Sequence, residues 1–194
     1  MNTFTPRTFV IPELRGISAK TIEEHMKLYT GYVTNANTVL VKVEEMAKDT
    51  AANGYAISET MRRFSFEWNG MKNHEKYFAL FEGGTTPLSA GSPLENAIKE
   101  TWGSVESFME RFKMLALTRG IGWAMLSRDN DCKLFMHWVD EQHLGQLQDT
   151  TPVLALDMWE HSFVSDYQPS GKKQYIEDFF VNINWQVAEQ FFTE

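Results

Sequence analysis

The sequence predicts an α+β protein: an N-terminal antiparallel helical hairpin, then an α/β domain built on a three-stranded antiparallel sheet. Three observations predict it. Apolar residues recur at three- and four-residue steps from about Ser18 to Leu80, the mark of helices with one buried face. A Gly/Pro-rich stretch, Gly83-Gly84-Thr85-Thr86-Pro87 followed by Gly91-Ser92-Pro93, interrupts that pattern. It reads as a joint between two domains, residues 1–87 and 88–194. Beyond the joint, helical and strand-like runs alternate.

Taken in order, Ser18 is a helix cap, and Ile22, Met26, Tyr29, Val33, Ala36, Leu40 and Val43 follow on one helical face. The Asn53-Gly54 pair is expected to turn the chain and close this first long helix. A second helix is expected from near Ser58, carrying Phe64, Trp68, Met71 and Phe78; a short connection makes the two antiparallel neighbours. Leu94–Trp102 and Val105–Leu117 read as helices. Gly122–Ser127 and Lys133–Val139 read as strands around the polar turn Arg128-Asp129-Asn130-Asp131, a hairpin signal. Pro152–Asp157 is a short apolar run ending in a carboxylate, read as a buried third strand. Tyr175–Phe180 and Trp185–Phe192 close the chain as helices.

Composition bounds the function. The 194 residues supply a substantial core: 43% are hydrophobic and 13% aromatic, with six Trp and fourteen Phe. No run approaches the roughly 20 apolar residues that a spanning helix needs. The N-terminal fifteen residues lack the basic-then-apolar order of a secretory signal. Cys132 stands alone, so no intrachain disulfide forms, which suits a reducing compartment. A net charge of −8 argues against nucleic-acid or anionic-membrane partners, because phosphate affinity rests on clustered Lys and Arg. The expectation is a soluble, cytoplasmic globular protein.

Chemistry has few candidate carriers. There are five histidines: His25, His74, His137, His143 and His161. His25 near the start of the first helix and His74 late in the second come level in an antiparallel hairpin. Asp157 and His161 are four apart, and Asp157 ends an apolar strand, where an ionised group is costly unless paired or metal-bound. Three imidazoles and one carboxylate suit a first-row transition metal with a position left for solvent. Other plans fail on spacing. His74-Glu75-Lys76-Tyr77-Phe78 lacks the second His of a zinc-hydrolase motif. The di-iron Glu-x-x-His offset is occupied by Ile22, Met71 and Met158. Gly120-Ile121-Gly122-Trp123 leads into a strand rather than a phosphate-binding helix, and Cys132 has no base beside it.

Several segments, in order, resemble one family. Asp157-Met158-Trp159-Glu160-His161 resembles the Asp-x-Trp-Glu-His signature of the iron/manganese superoxide dismutases. Gly120-Ile121-Gly122-Trp123-Ala124-Met125-Leu126 is similar to their Gly-Ser-Gly-Trp-x-Trp-Leu strand. Gly70-Met71-Lys72-Asn73-His74 is similar to their Gly-His-x-Asn-His segment, with Met71 in place of the first His. Thr21–His25, Tyr32–Asn35 and Asn184-Trp185 match the first helix and the closing Asn-Trp. The resemblance implies one iron or manganese ion per chain, held by His25, His74, Asp157 and His161. It implies Tyr32 as the gateway tyrosine, Trp123 and Trp159 as pocket walls, and Gln142 or His143 as the group bonding metal-bound solvent and relaying protons. Glu160 would reach across a homodimer interface to the partner's ligand. Lys27, Lys172 and Lys173 would steer superoxide, the substrate, toward a protein whose overall charge repels it.

Besides Met71, the sequence departs from the family in three places. The first ligand usually precedes the gateway Tyr by eight residues; His25 and Tyr32 are seven apart. Seven residues return to within about 20° of the same helical face, so an unbroken α-helix still aims both inward, whereas eight overshoot by roughly 80° and need a π-bulge. A family His one turn beyond the ligand is missing, its place falling on Leu28 or Tyr29. Val164 replaces the Tyr that pairs with that His across the dimer, which implies a remodelled interface. Gly70 occupies the place where iron-type members carry Gln, and Gln142 falls near the Gln of manganese-type members. The alternative reading is a catalytically inactive protein on the same fold, kept for a structural or interaction role.

Overall fold

A computed structural model describes residues 3–194. Helix α1 spans Ala19–Met46, capped by Ser18, whose hydroxyl accepts the Thr21 N–H. Thr21, Ile22, His25, Tyr29, Val33, Ala36 and Val39 form its buried stripe. The helix carries no break between His25 and Tyr32, so the seven-residue spacing is spanned by regular α-turns. Helix α2, Thr50–Ala79, returns antiparallel.

The hairpin does not turn at Asn53-Gly54. A 3-10 turn at Ala47–Asp49 separates the helices, and Asp49 caps α2 by accepting the Ala52 N–H at 3.0 Å. Asn53 lies inside α2, its amide donating back to the carbonyls of Asp49 and Met46 at 2.9 and 3.2 Å. Gly54 faces open space. An exposed helical glycine costs about 1 kcal/mol, less than the capping and packing that hold the turn upstream. The second helix therefore starts eight residues before Ser58.

After Ala79 the chain crosses to α3, Pro93–Trp102, and α4, Val105–Ala116, both capped by serine side chains. Strands β1 (Gly122–Arg128), β2 (Leu134–Asp140) and β3 (Thr151–Asp157) form an antiparallel sheet in the order β2-β1-β3. The central strand β1 is buried from Gly122 to Ser127, which is why it reads as a continuous apolar run. Pro152 is tolerated because β3 is an edge strand. The β1–β2 turn is tied by Asp129, which accepts the N–H groups of Asp131 and Lys133, both at 2.9 Å.

A 3-10 turn at Glu160–Ser162 and the four-residue α5 (Val164–Tyr167) lead to α6 (Lys172–Asn182) and α7 (Trp185–Thr193). One apolar core runs from α1 and α2 through the sheet to these last helices. Among the described residues no helix is long and apolar enough to cross a membrane.

Register positions the site. Trp123 pairs with Val139 on one side and with Asp157 on the other, so the first residues of β1 sit between the loop after β2 and the end of β3. A side chain on Gly122 would collide with the Val139 carbonyl oxygen, so glycine permits this close pairing.

Candidate metal centre

Four side chains distant in sequence converge on one point. The Nε2 atoms of His25 and His161 lie 3.0 and 3.1 Å from Asp157 Oδ2, and Nε2 of His74 lies 3.5 Å from it. One donor atom from each residue fits within 4.8 Å of the others. His25, His74 and Asp157 are fully buried, and the His161 side chain is 21% exposed. Helices α1 and α2 present the first two imidazoles at matching heights; the end of β3 and the turn behind it present the other pair.

The donor set fits a transition-metal ion, and His74 makes the case. Its Nδ1 lies 2.6 Å from the Gly70 carbonyl oxygen and must donate to it, because a carbonyl only accepts. That fixes the tautomer and leaves Nε2 as a bare lone pair aimed at the cluster. This Nε2 is buried and has no hydrogen-bond partner. An unpaired buried acceptor is costly unless something else binds it. Two donors each about 2.1 Å from one ion stand about 3–4 Å apart, which matches the spacing around Asp157 Oδ2. Asp157 Oδ1 accepts the Trp159 N–H at 2.8 Å, which orients the carboxylate.

The electrostatics agree. Burial pushes both the His25 and His74 imidazoles toward the neutral form, His74 down to about 3, as a metal ligand requires. Burial alone would raise the Asp157 carboxyl, but the His161 and His25 imidazoles outweigh it and hold the group well below the usual range. Tyr32 is held protonated by burial, reinforced by the charges of Asp157 and Glu67.

Around the cluster, Trp123 meets His74 edge-on at 5.0 Å between ring centroids, and Trp159 stacks on His161 at 5.8 Å. Tyr32 leans over His74 at 5.0 Å. Its ring lies so close to Gly70 that no side chain would fit there. Trp123 Nε1 donates to Gln142 Oε1 at 2.9 Å, and Gln142 Nε2 donates to Tyr32 Oη, also at 2.9 Å. Gln142 is fully buried. Asn73 secures its loop, donating to the Gln142 carbonyl at 3.0 Å and accepting from Gln146 at 2.9 Å.

The other sequence-predicted residues lie as follows. His143 packs edge-on against Phe66 at 5.7 Å; of this loop pair it is Gln142 that bonds Tyr32. Tyr29 is buried, ring-parallel to His74 at 6.4 Å, its hydroxyl accepting the Arg7 N–H and donating to Glu75. Glu160 is exposed beside His161 and forms no ion pair among the described residues. Lys27 is paired with Glu23 and Glu24 at 3.0 and 2.8 Å. Lys172 donates to the Thr118 carbonyl at 2.7 Å, and Lys173 is exposed.

Three residues escaped the sequence reading. Phe66 packs 5.9 Å from Tyr32, and the Arg63 guanidinium lies 3.5 Å above the Phe66 ring. Glu67, buried on the same face of α2, accepts from Arg63 Nε at 3.2 Å. Their one signal was the spacing 63, 66, 67, 70 and 74, which shares a helical face with His74.

Comparison with known proteins places these observations. Residues 90–191 match the family model described as iron/manganese superoxide dismutases, C-terminal domain. The chain is 35% identical over 181 residues to an iron superoxide dismutase of Cupriavidus metallidurans, covering 91% of this chain and 88% of that one. It is 32% identical over 186 residues to a manganese superoxide dismutase of Thermus thermophilus, covering 91% and 89%. A relative named for manganese and iron together, from a Methylomonas species, is 31% identical over 187 residues, covering 92% and 90%.

Proposed function

This chain belongs to the iron/manganese superoxide dismutase family, and we propose that it disproportionates superoxide at one iron or manganese ion held by His25, His74, Asp157 and His161. The observation that carries the reading is the buried four-donor cluster with its unpaired His74 lone pair. A bound ion would supply one-electron exchange between trivalent and divalent states, releasing O2 from one superoxide and H2O2 from the next.

The chain's own residues handle orientation and protons. Trp123 fixes the Gln142 amide by taking its oxygen, so the amide nitrogen points at Tyr32. Tyr32 accepts that bond and remains protonated, which leaves its own O–H free to donate into the site, where peroxide formation consumes two protons. Gln142 takes the relay role in preference to His143, which is turned toward Phe66. Trp123 and Trp159 exclude water on two sides, and the partial exposure of His161 marks the more open side of the centre.

Steering of the anion falls first to Arg63, whose guanidinium covers the Phe66 ring beside Tyr32 and is compensated by Glu67 alone, with Lys172 and Lys173 as further cations. Lys27 serves this role weakly, because two carboxylates compensate its charge. The active form is a homodimer in which Glu160 reaches the partner's ligand histidine. In support, Glu160 is exposed and unpaired, and no hydrogen bond within the described residues takes up the second ring nitrogen of His161. The exposed free thiol of Cys132 suits a reducing, cytoplasmic setting. The inactive-scaffold alternative is disfavoured, since a scaffold has no use for three imidazoles crowded on one buried carboxylate oxygen.

The test is metal analysis of the purified protein joined to a superoxide-removal assay. About one iron or manganese per chain and rapid removal are expected, both lost in His74→Ala. A metal-loaded protein that leaves superoxide untouched overturns the reading.

A further inference from the structure

Three tyrosines lead from the cluster toward the surface. The ring centroid of Tyr77 lies 5.0 Å from that of His25. The hydroxyls of Tyr77 and Tyr175 are 3.1 Å apart. The rings of Tyr175 and Tyr167 follow at 5.9 Å. Tyr77 and Tyr175 are fully buried, while Tyr167 is half-buried. The Tyr167 hydroxyl donates to Asp178 Oδ2 at 3.1 Å. The other oxygen of that carboxylate lies 3.6 Å from Arg15, whose side chain is 71% exposed. Gly16 leaves the room in which Tyr167 and Asp178 meet, because a side chain there would strike both.

Packing asks for rings here, not for hydroxyls. A buried phenol hydroxyl is costly unless bonded, and Tyr77 and Tyr175 satisfy one another deep inside the core. Their other neighbours include Phe179, stacked on Tyr77 at 6.1 Å, and Phe163, stacked on Tyr175 at 5.3 Å. Phenylalanine is far harder to oxidise than a phenol, so the tyrosines mark the oxidisable line that leads outward; the other oxidisable neighbour, Trp123 at 6.3 Å from Tyr77, lies back against His74. A phenol yields its electron readily only when its proton leaves with it. Along this line Tyr167 has a carboxylate to receive that proton.

We propose that Tyr77, Tyr175 and Tyr167 form a radical relay that draws an oxidising equivalent away from the loaded centre and delivers it to Tyr167. The proposal rests on the metal reading above, and the oxidant is hydrogen peroxide, the product of that reaction. Reduction of one hydrogen peroxide to two waters consumes two electrons and two protons. A bound ion in its divalent state would supply one of these electrons. The other leaves Tyr167 and crosses Tyr175, Tyr77 and His25. The Tyr167 proton passes to Asp178 and on to solvent, which supplies the remaining proton. What is left is a neutral Tyr167 phenoxyl near the surface, where a reductant can quench it, instead of damage to the side chains around the ion.

The test loads the protein with iron, confirms metal content and dismutation, then adds hydrogen peroxide with a nitroso spin trap and maps the adduct by mass spectrometry. The expected result is an adduct on Tyr167. Tyr175→Phe keeps the ring but interrupts the line; the Tyr167 adduct is lost while metal content and dismutation are kept. Tyr167→Phe likewise loses the adduct with dismutation unchanged. An adduct that persists on Tyr167 in Tyr175→Phe, or one confined to Tyr32, Trp123 or Trp159 in the unaltered protein, overturns the relay alone. A protein that binds no iron overturns the metal reading and the relay with it.

Discussion

Replacing Gly70 with alanine sets helix stability against the position of Tyr32. In isolation the change favours α2, by about 1 kcal/mol for a residue inside a helix. The added methyl, however, would fall on Tyr32 Cδ1 and within 2.7 and 2.8 Å of Cε1 and Cγ, whereas ordinary contact begins at 3.4 Å. The ring must therefore retreat by about 0.6 Å at its base, and further at the hydroxyl as the side chain pivots. That motion breaks the 2.9 Å bond from Gln142. Gln142 is fully buried, so its stranded N–H costs about 1–3 kcal/mol. The net is a loss of about 1 kcal/mol and a Tm lower by about 2–4 °C. Displacing a positioned proton donor by about 1 Å costs up to about a hundredfold in turnover. Thermal melting and a superoxide-removal assay on Gly70→Ala read both quantities. A variant with a raised Tm and unchanged turnover would show that Tyr32 is not held by this contact.

Other outcomes follow from the same geometry. Acid should destabilise the metal-free protein from about pH 6.5 downward. His25 and His74 are held neutral by burial, so below the ordinary histidine value of 6.5 the unfolded chain binds protons that the folded one refuses until about 3 at His74. Stability then rises with pH across that window, by up to about 1.4 kcal/mol per pH unit for each group; urea melts at stepped pH check it, and a flat profile would refute it. Arg63→Glu should slow superoxide removal at low ionic strength and flatten its salt dependence, read by repeating the assay from low to physiological salt. Glu160→Ala should weaken metal retention about ten- to a hundredfold while leaving the fold intact, measured by competition with a chelator.

Much of this architecture is written into local pattern. The three strands and the helices around them follow from apolar runs punctuated by glycine, proline and serine, and β1 is legible because a central strand buried on both faces has no polar alternation to obscure it. Asp157 was conspicuous for a related reason, as a charge at the end of an apolar strand, where it must cap the turn, pair or bind a metal; its two oxygens divide that work between the Trp159 N–H and the imidazoles. The hairpin turn was misplaced because Asn-Gly is a strong local turn signal, whereas the turn actually used depends on Asp49 capping α2. The choice between Gln142 and His143 was illegible: the two are adjacent, and the left-handed backbone at Glu141 (φ 51°) sets the turn that decides which side chain faces Tyr32. Arg63, Phe66 and Glu67 were missed because their roles exist only once Tyr32 has been placed against α2.

The seven-residue interval between His25 and Tyr32 ties these strands of reasoning together. An uninterrupted α1 keeps His25, Tyr29 and Tyr32 along one face of a regular helix. The face they meet on α2 must then accommodate a tyrosine ring. Gly70 supplies the room on one side, and Phe66 supplies the wall on the other. With the ring seated there, its hydroxyl falls to the loop after β2, and Gln142, already fixed by Trp123, is the residue that receives it. The glycine that admits the ring and the loop glutamine that bonds its hydroxyl thus act on the same side chain, so altering either one should displace Tyr32.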